Sequence, residues 1–250
     1  MGKVYLVGAG PGAPDLLTVR AVKLLERADV VLHDALVHPE TLALAGNARF
    51  IDVGKRYGKV STEQRFIHRA LIEAARTHST VVRLKGGDPM LFGRGQEEID
   101  ALREAGIEVE VVPGVTAALA AAAVLRVSLT RRGVARTVAF LTPRVGRGET
   151  PSEWVGTALE ADSAVLYMAA GASREIAQSL IAAGKPGRTP VALVESATLP
   201  TERRLFGTLA ALAAEDLPRA DGPVVVCVGE VFRDAAAVES ALEQPHLRSA

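Results

Sequence analysis

The 250-residue chain has a single cysteine, Cys227, so it can form no internal disulfide and no thiolate metal cluster. It lacks an excess of either charge. Its 29 basic residues balance 29 acidic ones, which argues against a general nucleic-acid binder. No apolar run reaches membrane-spanning length, and the opening Met-Gly-Lys, followed by a strand-like "VYLVG", does not read as a signal peptide. Apart from an alanine bias there is no low-complexity tract, and there is no internal repeat. These absences leave a soluble, cytoplasmic protein with no membrane association as the expectation. What is present fits an α/β protein: 48% hydrophobic residues, 23 glycines and enough length to bury real cores.

Short apolar runs punctuate the first half, namely "VYLV", "VVLH", "RFIDV", "TVVRLK" and "VEVV", and predict the strands of a largely buried parallel sheet. Helical patterns lie between them. "STEQRFIHRALIEAAR" opens with a capping-box spacing from Ser61 to Gln64 and sets Phe66, Ile67, Ala70, Leu71 and Ala74 on one face. "GQEEIDALREAG" ends on Gly106, a helix C-cap, and "VTAALAAAAVL" predicts an alanine-rich helix. A second block of strands follows: "RTVAFLT", "SAVLYM", "TPVALVE", "RRLFGTL" and "PVVVCVG". The run "RVSLTRRGVA" between the blocks is the linker candidate. The expected organisation is two α/β domains, 1–130 and 131–250, with a ligand site in the cleft between them.

Ligands of open parallel sheets bind beyond the carboxyl ends of the strands. The five predicted strand ends of the first block carry "GAGPGAP", His33-Asp34, "GKRYGK", "KGGDPMLFGRG" and "PGVTAA". The first is close to a dinucleotide fingerprint, and Asp34 follows at a suitable distance, so a nicotinamide-dependent dehydrogenase is one reading. That fingerprint concentrates its glycines in the first loop, whereas here the fourth loop is as distinctive. Each loop also has a plain reading. Gly8, Gly10 and Gly12 can make a tight turn, Asp34 can cap the helix "PETLALA", and Lys55 and Arg56 can be solvated charges. Thr116 can cap the alanine-rich helix or offer its hydroxyl to a ligand. Gly86-Gly87-Asp88-Pro89 is the hardest to explain as structure alone, because two glycines admit a ligand close to the backbone and the acid suits ribose hydroxyls or an amine. Between residues 126 and 148 stand six arginines (126, 131, 132, 136, 144 and 147) and no acid. That run is either a solvated face or a site for a small polyanion.

"VGAGPGAPDLLT", "RLKGGDPMLFGRGQEE", "VVPGVTAALAAAA", "LYM" and "PVALVE", in this order and over about residues 3 to 232, resemble the tetrapyrrole methylases. Within that family the sequence is most similar to the branch that C-methylates uroporphyrinogen III. The resemblance implies two α/β domains, a homodimer, and S-adenosyl-L-methionine bound in the inter-domain cleft. It also implies two methyl transfers to a tetrapyrrole, through precorrin-1 to precorrin-2, in sirohaem and cobalamin biosynthesis. By resemblance, Pro11, Gly86, Gly87, Asp88, Leu91, Thr116, Ala117, Met168 and Ala197 fall at cofactor-contacting positions. Asp34 falls on the family's proton acceptor and Lys55 on its proton donor. Arg131 and Arg132 are the candidates for binding the polycarboxylate substrate, and no metal is called for. His33, Ala35, Arg131 and the "TPR" of 142–144 depart from the family's common residues, all on the presumed substrate side. A sibling acting on a later precorrin, and a cofactor-binding regulatory protein without catalysis, therefore stand as alternatives beside the dehydrogenase.

Overall fold

The computed structural model describes residues 2–54, 64–146, 150, 152–214 and 220–235. The protein divides into two compact units, Met1–Ala117 and Ala118–Ala250. Among the described residues no helix is long and apolar enough to cross a membrane.

The first unit is built on five strands: β1 (Lys3–Gly8), β2 (Val30–His33), β3 (Arg49–Asp52), β4 (Thr80–Lys85) and β5 (Val109–Val112). They lie in the order β3-β2-β4-β1-β5, and every neighbouring pair is parallel. All five predicted strands form. β1, β2 and β4 are buried, but β3 and β5 keep partial exposure because an edge strand has neighbours on one side only. Strand alternation splits the apolar side chains between two faces. Val7, Val31, Val82 and Leu84 pack with Ala21, Leu24 and Leu25 of α1 (Val19–Leu25) and with Leu42 of α2 (Pro39–Ala43). Val4, Leu6, Val30, Leu32 and Val81 pack with α3 (Gln64–Thr77) and α4 (Gly95–Glu104).

Local signals decide where these helices start and stop. Thr18 caps α1, its hydroxyl accepting from the Ala21 N–H at 3.2 Å. α4 ends at Gly106, which takes φ +70°, and the Gly106 and Ile107 amides bond back to Arg103 and Leu102. The α3 face buries Ile67, Leu71, Ala74 and Ala75. Phe66, expected on that face, is half exposed instead, because the buried stripe is centred one position further round. Ser61, the first residue of the expected capping box, lies outside the described residues.

The second unit begins as α5 (Ala117–Leu125) sets off; the Ala118 amide donates to the Tyr167 hydroxyl at 3.1 Å. Arg126, in the left-handed region, turns the backbone out of the helix, and a small turn closes with the Arg131–Ala135 bridge. Strands β6 (Val138–Leu141), β7 (Ser163–Leu166), β8 (Pro190–Glu195), β9 (Arg203–Thr208) and β10 (Val224–Gly229) form a sheet in the order β6-β7-β10-β8-β9. Only β6 and β7 pair in parallel; the other pairs are antiparallel. Helices α6 (Trp154–Glu160), α7 (Ser173–Ala182) and α8 (Leu209–Ala214) pack Ala158, Ile176, Leu180, Leu209 and Leu212 against Leu166, Leu193 and Val226. Cys227, wholly buried in β10, is an unreactive core residue: burial pushes its thiol up to about 12.

Candidate functional site

The strand order of the first unit determines where a ligand can enter. From β2 the path runs outward to β3; from β4 it runs the other way, across β1, to β5. β2 and β4 are neighbours, so their outgoing loops diverge. That is a topological switch point, the place where open α/β sheets bind ligands. His33-Asp34 and "KGGDP" follow the two strands that part there.

The "KGGDP" loop is also stitched to "GAGPG" at the end of the adjacent β1. Gly10 and Gly87 exchange backbone hydrogen bonds of 3.2 and 2.7 Å, with φ of +73° and +67°. Gly8, Gly87 and Gly114 then pack backbone on backbone: a Cβ on Gly114 would meet the Gly87 carbonyl oxygen at 2.3 Å and the Gly8 Cα at 2.9 Å. Asp88 fastens the same loops, its Oδ2 accepting from the Gly114 amide at 2.9 Å and its Oδ1 from the Met90 amide at 2.8 Å. Gly8 and Gly10 of the first loop thus serve loop packing. A dinucleotide fingerprint runs directly into a helix N-terminus and belongs to a sheet ordered 3-2-1-4-5. Here a 3₁₀ turn at Pro14–Leu16 intervenes, α1 begins only at Val19, and β4 lies between β1 and β2. The dehydrogenase reading has no footing in this geometry. Gly86 differs from its neighbours: it is exposed, and a Cβ there would approach nothing nearer than the Leu36 Cβ at 3.7 Å.

β4 holds a second feature that sequence patterning hides. Arg83 and Lys85 alternate with Val82 and Leu84, so both face α4, and their side chains are only 2% and 4% exposed. Glu98, in the first turn of α4 and 1% exposed, meets them. Its Oε1 accepts from Arg83 Nε (3.3 Å) and Nη2 (3.2 Å), from Lys85 Nζ (2.9 Å) and from Gln64 Nε2 (3.4 Å). Burial, and the adjacent Arg83 cation, push the Lys85 ammonium below its usual range, and Glu98 and Asp34 oppose that shift. The outer end of the cluster is Asp34, just past β2, whose Oδ1 accepts from Arg83 Nη2 at 2.5 Å. Asp34 is not the cap of α2. His38 occupies that position, its Nδ1 accepting from the Glu40 amide, because Pro39 begins the helix well beyond Asp34. Two basic residues at period 2 in an otherwise apolar strand, with an acid opening the next helix, are the signal that would have revealed the cluster.

The remaining candidates divide between the units. Pro11, Leu91 and Ala117 are partly buried, and Thr116 is buried at the residue before α5. Beyond Leu91, Arg94 takes the left-handed region at φ +56° and grips Glu97 with two contacts of 2.6 Å, a pair that sequence reasoning also missed. In the second unit, Met168 follows β7 with φ +55°, and Ala197 follows β8 between Ser196 (φ +50°) and Thr198 (φ +71°). Left-handed non-glycine residues cost about 1–3 kcal/mol each and cluster where function requires them. Glu195 braces the β8 loop, Oε1 accepting from the Asp221 and Gly222 amides and Oε2 pairing with Arg203. Arg131 and Arg132 are exposed, Arg131 lying 3.7 Å from Asp234. Lys55 and Arg147 lie outside the described residues. Among the described residues no group of three His, Cys, Asp or Glu side chains is placed to hold a metal ion.

Comparison with known proteins agrees with this picture. The sequence is 43% identical over 235 residues to a uroporphyrinogen-III C-methyltransferase of Synechocystis sp., covering 92% of this chain and 89% of the relative. It is 44% identical to a sirohaem synthase of Azotobacter vinelandii, of which it spans only 51%. The solved uroporphyrin-III C-methyltransferase of Thermus thermophilus, in complex with S-adenosylhomocysteine, superposes with a TM-score of 0.80 at 43% identity, covering 93% of this chain and 99% of that one. The sequence model of the family described as Tetrapyrrole (Corrin/Porphyrin) Methylases matches residues 3–213. With that match over most of its length, the protein belongs to the tetrapyrrole methylases.

Proposed function

We propose that this protein methylates carbon atoms of uroporphyrinogen III from S-adenosyl-L-methionine, in two transfers that pass through precorrin-1 to precorrin-2, on the route to sirohaem and cobalamin. The observation that carries this reading is the pairing of features at adjacent strand ends. Open glycine backbone at Gly86 follows β4, and Asp34, whose Oδ2 accepts no hydrogen bond among the described residues, follows β2.

The fourth loop fits the methyl donor. Gly86 presents exposed backbone with room for a ligand, and the Gly10–Gly87 hydrogen bonds tie down the residue beside it. Gly86, Gly87, Asp88 and Leu91, with Pro11 of the first loop and Thr116 and Ala117 of the fifth, are the proposed cofactor residues of the first unit. Met168 and Ala197 are those of the second. Residues 1–130 then carry the glycine-rich and catalytic loops, and 131–250 complete cofactor binding. When bound, the donor supplies an electrophilic methyl on a sulfonium, chemistry that needs no metal and no covalent enzyme intermediate.

The protein's own tasks are positioning and proton management. Holding the carbon nucleophile in line is worth roughly 7–11 kcal/mol of the barrier. Asp34 accepts the proton lost from the methylated ring, a contribution of about 10²–10⁴ in rate. Lys55 is assigned the complementary proton donation. Arg131 and Arg132, exposed on their turn, suit the substrate's carboxylates. Assembly as a homodimer and residence in the cytoplasm belong to the same reading.

Mass spectrometry of uroporphyrinogen III incubated with the protein and S-adenosylmethionine tests the proposal. The expected product has gained two methyl groups. No gain on this substrate, with turnover of a later precorrin, would move the protein to a sibling activity.

A further inference from the structure

We infer that Arg83 is a positioning residue for the Asp34 carboxylate, anchored from behind by Glu98. This rests on the reading of Asp34 as proton acceptor and adds what orients it.

Each nitrogen of the Arg83 guanidinium is engaged. Nε and Nη2 donate to Glu98 Oε1, Nη1 donates to the Leu84 carbonyl oxygen at 3.1 Å, and Nη2 also reaches Asp34 Oδ1. A planar fork fixed at three corners has no freedom to follow a wandering partner, so it dictates the partner's orientation. Among the described residues, Asp34 is held by one oxygen only. Its Oδ2 accepts no hydrogen bond from the described residues, and the side chain is 30% exposed. One oxygen clamped and the other open is the arrangement a positioned base requires.

The cost of the cluster points the same way. Glu98 directs four N–H contacts onto Oε1 and leaves its buried Oε2 without a hydrogen bond. Buried ion clusters of this kind are often no more stabilising than apolar side chains of the same volume. β4 and α4 could be joined by leucines. An apolar joint, however, could not deliver a cation to the surface at Asp34. The formal charges of the cluster balance, Asp34 and Glu98 against Arg83 and Lys85.

A double-mutant cycle separates positioning from bracing. Arg83→Lys keeps the charge and removes the fork. It is measured alone, and again in an Asp34→Asn background, for kcat, for KM of uroporphyrinogen III and for calorimetric affinity towards S-adenosylhomocysteine. Arg83→Lys alone should lower kcat by about 10- to 100-fold, the scale of a small misplacement of a reacting group. KM and affinity should stay within about twofold, because the residue touches neither ligand on this account. In the Asp34→Asn background the same substitution should leave kcat nearly unchanged. If Arg83→Lys fails to fold, the pair Arg83→Gln with Glu98→Gln enters the same cycle, since it removes one charge of each sign and keeps the buried region neutral. Equal losses in both backgrounds, or a parallel loss of affinity, would reduce Arg83 to a structural brace while leaving Asp34 as base. An Asp34→Asn enzyme with undiminished kcat would overturn the base and the positioning role together.

Discussion

Gly86 and Gly114 occupy adjoining loops and answer to different constraints. At Gly114 a Cβ would collide with backbone at 2.3 Å, so Gly114→Ala must push the fourth and fifth loops apart. Overpacking of that kind costs about 1–3 kcal/mol. At Gly86 a Cβ has room. Gly86→Ala should therefore keep the wild-type melting temperature while weakening S-adenosylmethionine binding about tenfold or more, because a methyl group would stand where the ligand meets the backbone. Calorimetry and a thermal melt on both variants check this. If Gly86→Ala binds as tightly as the wild type, the fourth loop does not contact the cofactor through that residue. Asp88 combines the two constraints. With both oxygens occupied by loop amides, its substitution should weaken the fold as well as the site.

At the scale of elements, the loop after β8 depends on one carboxylate. Burial raises the Glu195 pKa, but the Gly222 amide, Arg203 and the Asp221 amide outweigh it and leave the net value below the usual carboxylate range. A folded pKa below the unfolded one gives stability that is complete above the unfolded value, near 4.5, and is lost as pH falls through the folded value. Glu195→Gln should therefore destabilise the protein by about 1.5–3 kcal/mol at pH 7, the worth of hydrogen bonds to a charged group. The difference should shrink steadily below pH ~4.5. Melts across that range check it, and a pH-independent difference would assign the loss to packing.

Elements of this kind were largely legible in the sequence. Among the described residues every strand falls on a run read as a strand in the sequence, and Gly106 marks a helix end by its need for positive φ. The cluster of Arg83, Lys85 and Glu98 was missed, because each charge taken singly reads as surface; only the period-2 spacing of the two basic residues in an apolar strand marks them as a pair with a buried partner. Asp34 was ambiguous for a related reason. An acid a few residues before a helix resembles a cap until the helix start is fixed, and His38 holds that place. The antiparallel pairing of the second sheet shows only in β9, whose residues alternate between exposed and half-buried; β8 and β10 are buried throughout and read like the inner strands of the first sheet.

For the molecule as a whole, the proposed cofactor residues are drawn from both compact units, and this has a thermodynamic consequence. A ligand that binds only the native state at a hundred times its dissociation constant stabilises that state by about 2.7 kcal/mol. For a protein of 250 residues this corresponds to a rise of roughly 5–10 °C in melting temperature. Differential scanning calorimetry with S-adenosylhomocysteine should show a rise of that size, and NAD at the same concentration should produce none. If the two units melt as separate transitions, both should move with S-adenosylhomocysteine, because Gly86 and Asp88 lie in one and Met168 and Ala197 in the other. A shift confined to the first transition would remove Met168 and Ala197 from the cofactor site. A shift with NAD would restore the dinucleotide reading of "GAGPGAP" that the strand order argues against.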